Sequence, residues 1–163
     1  MPPRVESPKL YLDDVELLPR PFMNFAGREG KYNAEGERSF HIRITEEDAQ
    51  SLKAQGWTKI RLPGPEDLER GYGPSIEVTI RYTKKPPHVV LVTSAGHTEL
   101  GEKDLDVLEQ LEIERMDVAI NGYVWENEQG SGIKPYLKTL YAIVAEDPIE
   151  ARYNAMLAAR DDD

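Results

Sequence analysis

From Ile76 to Tyr82 the chain reads Ile-Glu-Val-Thr-Ile-Arg-Tyr, a strict alternation of apolar and polar side chains. A period of two can bury one face only as a β-strand. The same signal recurs at Ser39 to Ile44, Trp57 to Leu62, His88 to Thr93, Val118 to Trp125 and Ile133 to Ala145. Leu10 to Leu18 reads as a strand broken by a turn at Asp13-Asp14, with Phe22 to Phe25 continuing it. Ile76 to Tyr82 and His88 to Thr93, separated by Lys84-Lys85-Pro86-Pro87, are expected to pair with one another.

Helical signals are few. Thr45 has the form of a cap, followed by Glu46, Glu47 and Asp48 and then by Ala49, Leu52 and Lys53 at helical spacing, with Gly56 as the stop. Leu105, Leu108 and Leu111 mark a short acidic helix over Lys103 to Leu111, and Asp147-Pro148 opens a last helix that ends near Arg160. Pro63 to Pro74 reads as an irregular loop. Many short strands and few helices predict a mainly β chain, an OB-fold-like five-stranded small barrel with one or two short helices and a C-terminal helix. The expected layout is a flexible arm over 1–9, the binding domain over 10–146, and the C-terminal helix with its acidic tail over 147–163.

The chain has no cysteine, which excludes a disulfide scaffold and a thiolate zinc site and fits a reducing, cytoplasmic setting. The N-terminus lacks the apolar run of a signal peptide, and no stretch reaches the roughly 20 apolar residues needed to span a bilayer. His41, His88 and His97 stand far apart, and Gly27, Gly30 and Gly36 match neither a P-loop nor a dinucleotide fingerprint. Each acidic group has an ordinary place: Asp13-Asp14 in a turn, Glu46-Glu47-Asp48 at a helix start, Asp104 and Asp106 on a solvated face. The reading is of a binding protein without cofactor, metal or catalytic residues.

A net charge of −10 argues at first against a phosphate-bearing partner. Its distribution removes the objection. Between Ala95 and Asp117 eight acids face only Lys103 and Arg115, and from Glu146 onward six face only Arg152 and Arg160. Those stretches hold the whole excess. Arg20 to Arg43 is locally positive and interleaves Phe22, Phe25, Tyr32 and Phe40 with Arg20, Arg28, Lys31, Arg38 and Arg43. Cations that follow a phosphate backbone and rings that stack on bases are what single-stranded nucleic acid requires. Alternation assigns Phe40 to the core with Ile42 and Ile44. A second cluster joins Tyr123 and Trp125 to Lys134, Tyr136 and Lys138, whose spacing puts an aromatic between two ammonium groups. Trp57, Lys59 and Arg61 form a smaller third group.

The run Asn24 to Asn33 (Asn-Phe-Ala-Gly-Arg-Glu-Gly-Lys-Tyr-Asn), with Gly36 to Phe40, resembles bacteriophage-encoded single-stranded DNA-binding proteins, particularly those of actinobacterial phages. Gly130 to Tyr141 is similar to their late strand, and Gly56-Trp57 and Lys85-Pro86-Pro87 add to the likeness. The resemblance implies an OB-fold that coats single-stranded DNA during phage replication or recombination in the host cytoplasm, without sequence preference. It further implies an acidic tail, Asp161, Asp162 and Asp163, that contacts replication or recombination proteins, although such tails often end in an aromatic residue and this one does not. Homo-oligomerisation stays open. Two other classes stand beside this one: an interaction module working through its acidic helix and tail, and a divalent-metal nuclease.

Overall fold

The computed structural model describes residues 8–30, 33–83 and 85–161. Residues 1–7 of the expected arm, Lys31, Tyr32, Lys84, Asp162 and Asp163 lie outside the described residues. The frame is a long hairpin, β8 (Ile113–Asn127) and β9 (Gly130–Val144), paired antiparallel from Ile113↔Val144 to Asn127↔Gly130. Its Glu128-Gln129 turn needs Gly130 at φ 145, a conformation side chains with a Cβ rarely adopt. β8 carries β1 (Lys9–Leu12) on its far edge. The far edge of β9 is shared lengthwise: β5 (Ser75–Ile80) meets it in parallel at Thr79↔Tyr136, and β6 (His88–Thr93) runs parallel to it from His88↔Thr139 to Val92↔Ile143.

This corrects the expected pairing of β5 with β6. Both run in the direction of β9, so they cannot form an antiparallel hairpin, and Ser-free Pro86-Pro87 supplies no ladder donor between them. The antiparallel partner of β6 is instead β7 (Gly96–Leu100), a strand without a clear period of two. Beyond β5 lie β3 (Arg38–Arg43) and then β2 (Met23–Asn24), while β4 (Ile60–Arg61) pairs with the start of β5.

Among the described residues six of the nine strands form an open path, β1-β8-β9-β5-β3-β2, with β4, β6 and β7 paired beside it, and not the five-stranded small barrel expected. Asp14 at φ 48 turns the chain after β1, where Val15 N–H still donates to the Met116 carbonyl of β8 (2.8 Å). The crossing to β3 is held by the bridge Leu17↔Ile42, with Leu18 N–H donating to the His41 carbonyl (3.0 Å) and Arg43 N–H to the Glu16 carbonyl (2.8 Å). Pro19 and Pro21 then deny the segment further ladder donors.

Alternation decides what each strand buries. Phe40 and Ile42 of β3, Ile76, Val78 and Ile80 of β5, Val118 and Ile120 of β8, and Leu137 and Leu140 of β9 share the inner face with Phe25. The Phe25 and Phe40 rings stack 5.0 Å apart. α1 (Glu46–Ala54) starts where the sequence placed it, with Thr45 Oγ1 accepting from Asp48 N–H at 3.0 Å. The expected loop before β5 contains a short helix, α2 (Pro65–Glu69). The expected Lys103 to Leu111 helix divides into a 3₁₀ turn (Glu102–Asp104) and α3 (Val107–Gln110), which seats Leu105 and Leu108 in the core. α4 (Pro148–Asp161) is capped by Asp147 Oδ1, which accepts from Glu150 N–H at 2.8 Å, and Glu146 ties it to the β6–β7 turn through Ser94 Oγ (2.7 Å). Its Ile149, Tyr153, Met156 and Leu157 are all exposed. Among the described residues no helix is long and apolar enough to cross a membrane.

Candidate nucleic-acid interface

The strand positions between the buried ones point to the opposite face, and on β9, β5 and β3 they meet in register. Asn121 of β8 lies opposite Tyr136, Tyr136 opposite Thr79, and Thr79 opposite Ser39. That row crosses four strands, roughly 14 Å at the usual interstrand spacing. At its β9 end Arg81 Cζ stands 5.5 Å from the Tyr136 ring centre and Lys134 Nζ 5.2 Å from it. Arg81 Nη1 also donates to Tyr136 Oη at 3.4 Å. Tyr123, directly opposite Lys134, meets Tyr136 edge-on at 6.4 Å and is 60% exposed. An outward aromatic pair held among cations, one ring exposed and the other half-buried, can stack a base and attract its phosphate at once.

Trp125 completes this end. Its indole lies over Gly132 so closely that a Cβ there would sit 2.9 Å from Trp125 Cζ2 and 2.7 Å from Thr58 Cγ2. The glycine is thus a condition of the indole's position. Lys138 falls at the bulge where β8 and β9 shift register, between the pairs Ile120↔Leu137 and Ala119↔Thr139. The sequence cluster Tyr123, Trp125, Lys134 and Tyr136 is therefore brought together, with Lys138 farther along the same strand.

The other end of the face is walled by Phe22, Tyr72 and the α2 loop. Phe22 packs edge-on against His41 (5.3 Å) and Tyr72 (5.1 Å), and the Arg61 guanidinium lies over its ring at 4.3 Å. Asp67 grips Arg61 with both carboxylate oxygens at 3.0 Å. That bond, with the Gly64 N–H, holds the Asp67 carboxyl below its usual range. His41 Nδ1 is 3.1 Å from Ser75 Oγ, and its Nε2 is 3.8 Å from Glu77. Burial pushes its pKa down, and Arg61 and Lys59 add to this against the opposing pull of Glu77, so the imidazole is neutral at pH 7. Lys59 is exposed; its φ of 65 turns the chain from β9, where Trp57 bridges Ile133, to β5.

Several predicted site residues have other tasks. Phe25 is wholly buried and Trp57 is 4% exposed, so neither ring has a free face for a base. Both are core because they fill the space between the sheet and its covering segments. Of the first cluster's cations, Arg20, Arg28 and Arg38 turn away from the face described above, and Arg43, which shares the outward parity of His41, is engaged at its α2-loop wall. Arg28 forms a two-pronged bond with Glu109 (2.9 and 2.7 Å), Arg20 Nε adds a contact at 3.3 Å, and Ala26 N–H donates at 3.1 Å. Arg38 shares the inward parity of Phe40; its Nε donates to the Phe25 carbonyl and its Nη1 to Glu102 at 2.7 Å. Arg43 donates to the Gly71 carbonyl and approaches Glu16. Arg38 and Arg43 thus pin the loops before β3 and before β5. Among the described residues the two sequence clusters share no side-chain hydrogen bond, ion pair or cation–ring contact.

Burial of the Glu109 side chain, only 2% exposed, works against its charge, but Arg28, Arg20 and the Ala26 N–H outweigh it and hold its pKa below the ordinary carboxylate value. Phe22, named within the first cluster, does lie at the face, whereas His41 and Arg81 were missed as parts of it. Arg81 was legible in principle, since it shares the outward parity of Glu77 and Thr79; what hid it was the parallel contact of β5 with β9. Among the described residues no three His, Asp or Glu side chains converge as a metal-ligand set.

Comparison with known proteins adds three findings. The family model described as "Putative phage ssDNA-binding domain" matches residues 3–163. The fold is similar to the single-stranded DNA-binding protein of bacteriophage Enc34. Its C-terminally truncated form gives a TM-score of 0.52 at 14% identity over 86% of this chain and 87% of that one. Its complex with single-stranded DNA gives 0.53 at 13% identity over 86% and 88%. No curated protein matches the chain.

Proposed function

The chain belongs to the phage single-stranded DNA-binding domain family, and from that membership we propose that it coats phage single-stranded DNA without sequence preference through the outward face of β3, β5 and β9. It is a binding protein and not an enzyme. The observation that carries the choice of face is Tyr136, half-buried and outward on β9, with Arg81 and Lys134 beside its ring and the exposed Tyr123 edge-on. The complex of the Enc34 protein with single-stranded DNA supports a nucleic-acid role for this fold. Lys59, Trp125 and Lys138 extend the face. Lys31 and Tyr32, outside the described residues, keep their expected role in binding. Replication or recombination in the host cytoplasm is the setting this role fits, and the Asn24 to Asn33 and Gly130 to Tyr141 blocks support a place among proteins of actinobacterial phages.

Titration with oligo-dT, followed by tryptophan fluorescence, tests the reading. Trp57 is buried, so the response reports Trp125. Quenching at low salt that fades as salt rises is expected; no change at either salt would contradict it. A second reading, contact with replication or recombination proteins through α4 and Asp161 to Asp163, is favoured by the exposed Ile149, Tyr153, Met156 and Leu157. Removing residues 147–163 should abolish such a contact in a pull-down while leaving oligo-dT binding.

A further inference from the structure

On the outward side of β1, β8 and β9, away from the Tyr136 end, an open cleft of about 260 Å³ lies between two tyrosines. Tyr11 of β1 is 68% exposed and Tyr141 of β9 is 42% exposed. Both are outward by alternation: Leu10 and Leu12 pack on the core beside Tyr11, and Leu140 and Ala142 are buried beside Tyr141. Tyr141 is braced edge-on by His88 at 5.8 Å, which Glu99 holds at 3.3 Å. Thr139 and Ala119 form the floor. Lys138 lines the cleft and makes no ion pair among the described residues.

Asp13 and Asp117 also line it. Asp117 is fixed in orientation, its Oδ1 accepting from Asp14 N–H (2.8 Å) and Arg115 Nε (3.1 Å). Flat aromatic walls suit a planar ring, an ammonium suits a phosphate, and carboxylates suit a donor on the edge of that ring. The cleft is smaller than a drug-sized pocket, as one base requires. It is also continuous with the proposed interface, because Tyr136, Lys138 and Tyr141 lie on one strand and Tyr141 is roughly 16 Å from Tyr136 along it. That distance is within the span of a bound strand of several nucleotides.

We infer that the Tyr11–Tyr141 cleft is a second base subsite on the same bound strand, one that adds to otherwise sequence-independent coating a several-fold preference for a base carrying an exocyclic amine, as cytosine does, over thymine. Asp13 and Asp117 accept from the cytosine amine, whereas the thymine carbonyl at the same position faces two carboxylates. This rests on the reading of the chain as a single-stranded DNA binder.

The experiment compares oligo-dC and oligo-dT of about 3 and about 20 nucleotides on the full chain, lengths below and above a typical site of roughly 4–16 nucleotides, the shorter too short to occupy both tyrosine clusters. Short oligonucleotides report the Tyr136 end and are expected to bind wild type and variants alike. For the long ones, Tyr11→Ala with Tyr141→Ala is expected to weaken binding about tenfold, with the Tyr→Phe pair restoring it. Wild type should bind long oligo-dC about fivefold more tightly than long oligo-dT, a margin that Asp13→Ala removes. Absence of wild-type binding to oligonucleotides of both lengths would overturn the functional reading itself. Normal short binding with long-oligonucleotide affinities that ignore the Tyr→Ala pair would overturn the subsite alone, and equal wild-type affinity for long oligo-dC and oligo-dT would overturn its base preference.

Discussion

Glu109 shows how much of the apparent nucleic-acid signal is structural. Its carboxylate is enclosed by Arg28, Arg20 and the Ala26 N–H, so charges that looked available in sequence are consumed in anchoring the Arg20 to Gly27 segment to α3. Glu109→Gln should lower stability by about 1–3 kcal/mol, toward the lower end because the half-exposed Arg28 can return to water. Urea unfolding measures it. Because the folded pKa of Glu109 is depressed, its contribution is complete above the unfolded value of about 4.3 and is lost as pH falls through the folded value. The variant's stability should therefore vary less with pH below about 4. His41 acts higher on the scale. Its neutral form is favoured in the fold, so its contribution is complete above about pH 6.5 and declines as pH falls below that. His41→Gln should flatten the unfolding midpoint against pH below about 6.5.

At the scale of elements, the β8–β9 hairpin organises everything that the proposed interface uses, and its packing is tight at one point. A Cβ on Gly122 would lie 2.5 Å from Ile133 Cγ2 and 2.8 Å from both Pro8 Cγ and Trp57 Cη2. Gly122→Ala should cost about 1–3 kcal/mol in thermal or urea unfolding. Gly132→Ala should instead displace the Trp125 indole and change its fluorescence. Much at this scale was readable in the residues. The Thr45 cap, the alternation of β3 and β5, and the outward spacing of Lys134 and Tyr136 all follow from local chemistry. What was not readable depends on distant partners. Alternation shows which side of a strand is buried but not which strand lies beside it, so the β5–β9 contact that brings Arg81 to Tyr136 left no local trace. Phe25 and Trp57, read as rings for bases, are core for the same reason: their covering segments arrive from elsewhere in the chain.

For the whole molecule, the charge of −10 and a phosphate-bearing partner are compatible because the surplus acids lie in two stretches, Ala95 to Asp117 and Glu146 to Asp163, while the β5–β9 face presents Arg81 and Lys134. Enclosing some surface arginines with acids leaves fewer free cations than composition suggests, so the salt dependence of binding should be modest. The most direct measurement is the affinity of the Arg81→Ala, Tyr136→Ala double variant for oligo-dT across a salt series, with folding checked by circular dichroism. The predicted result is a folded protein that binds at least about tenfold more weakly, with a log–log salt slope smaller by about 0.7 for the phosphate contact that Arg81 supplied. A folded variant with wild-type affinity and slope would contradict the assignment of this face.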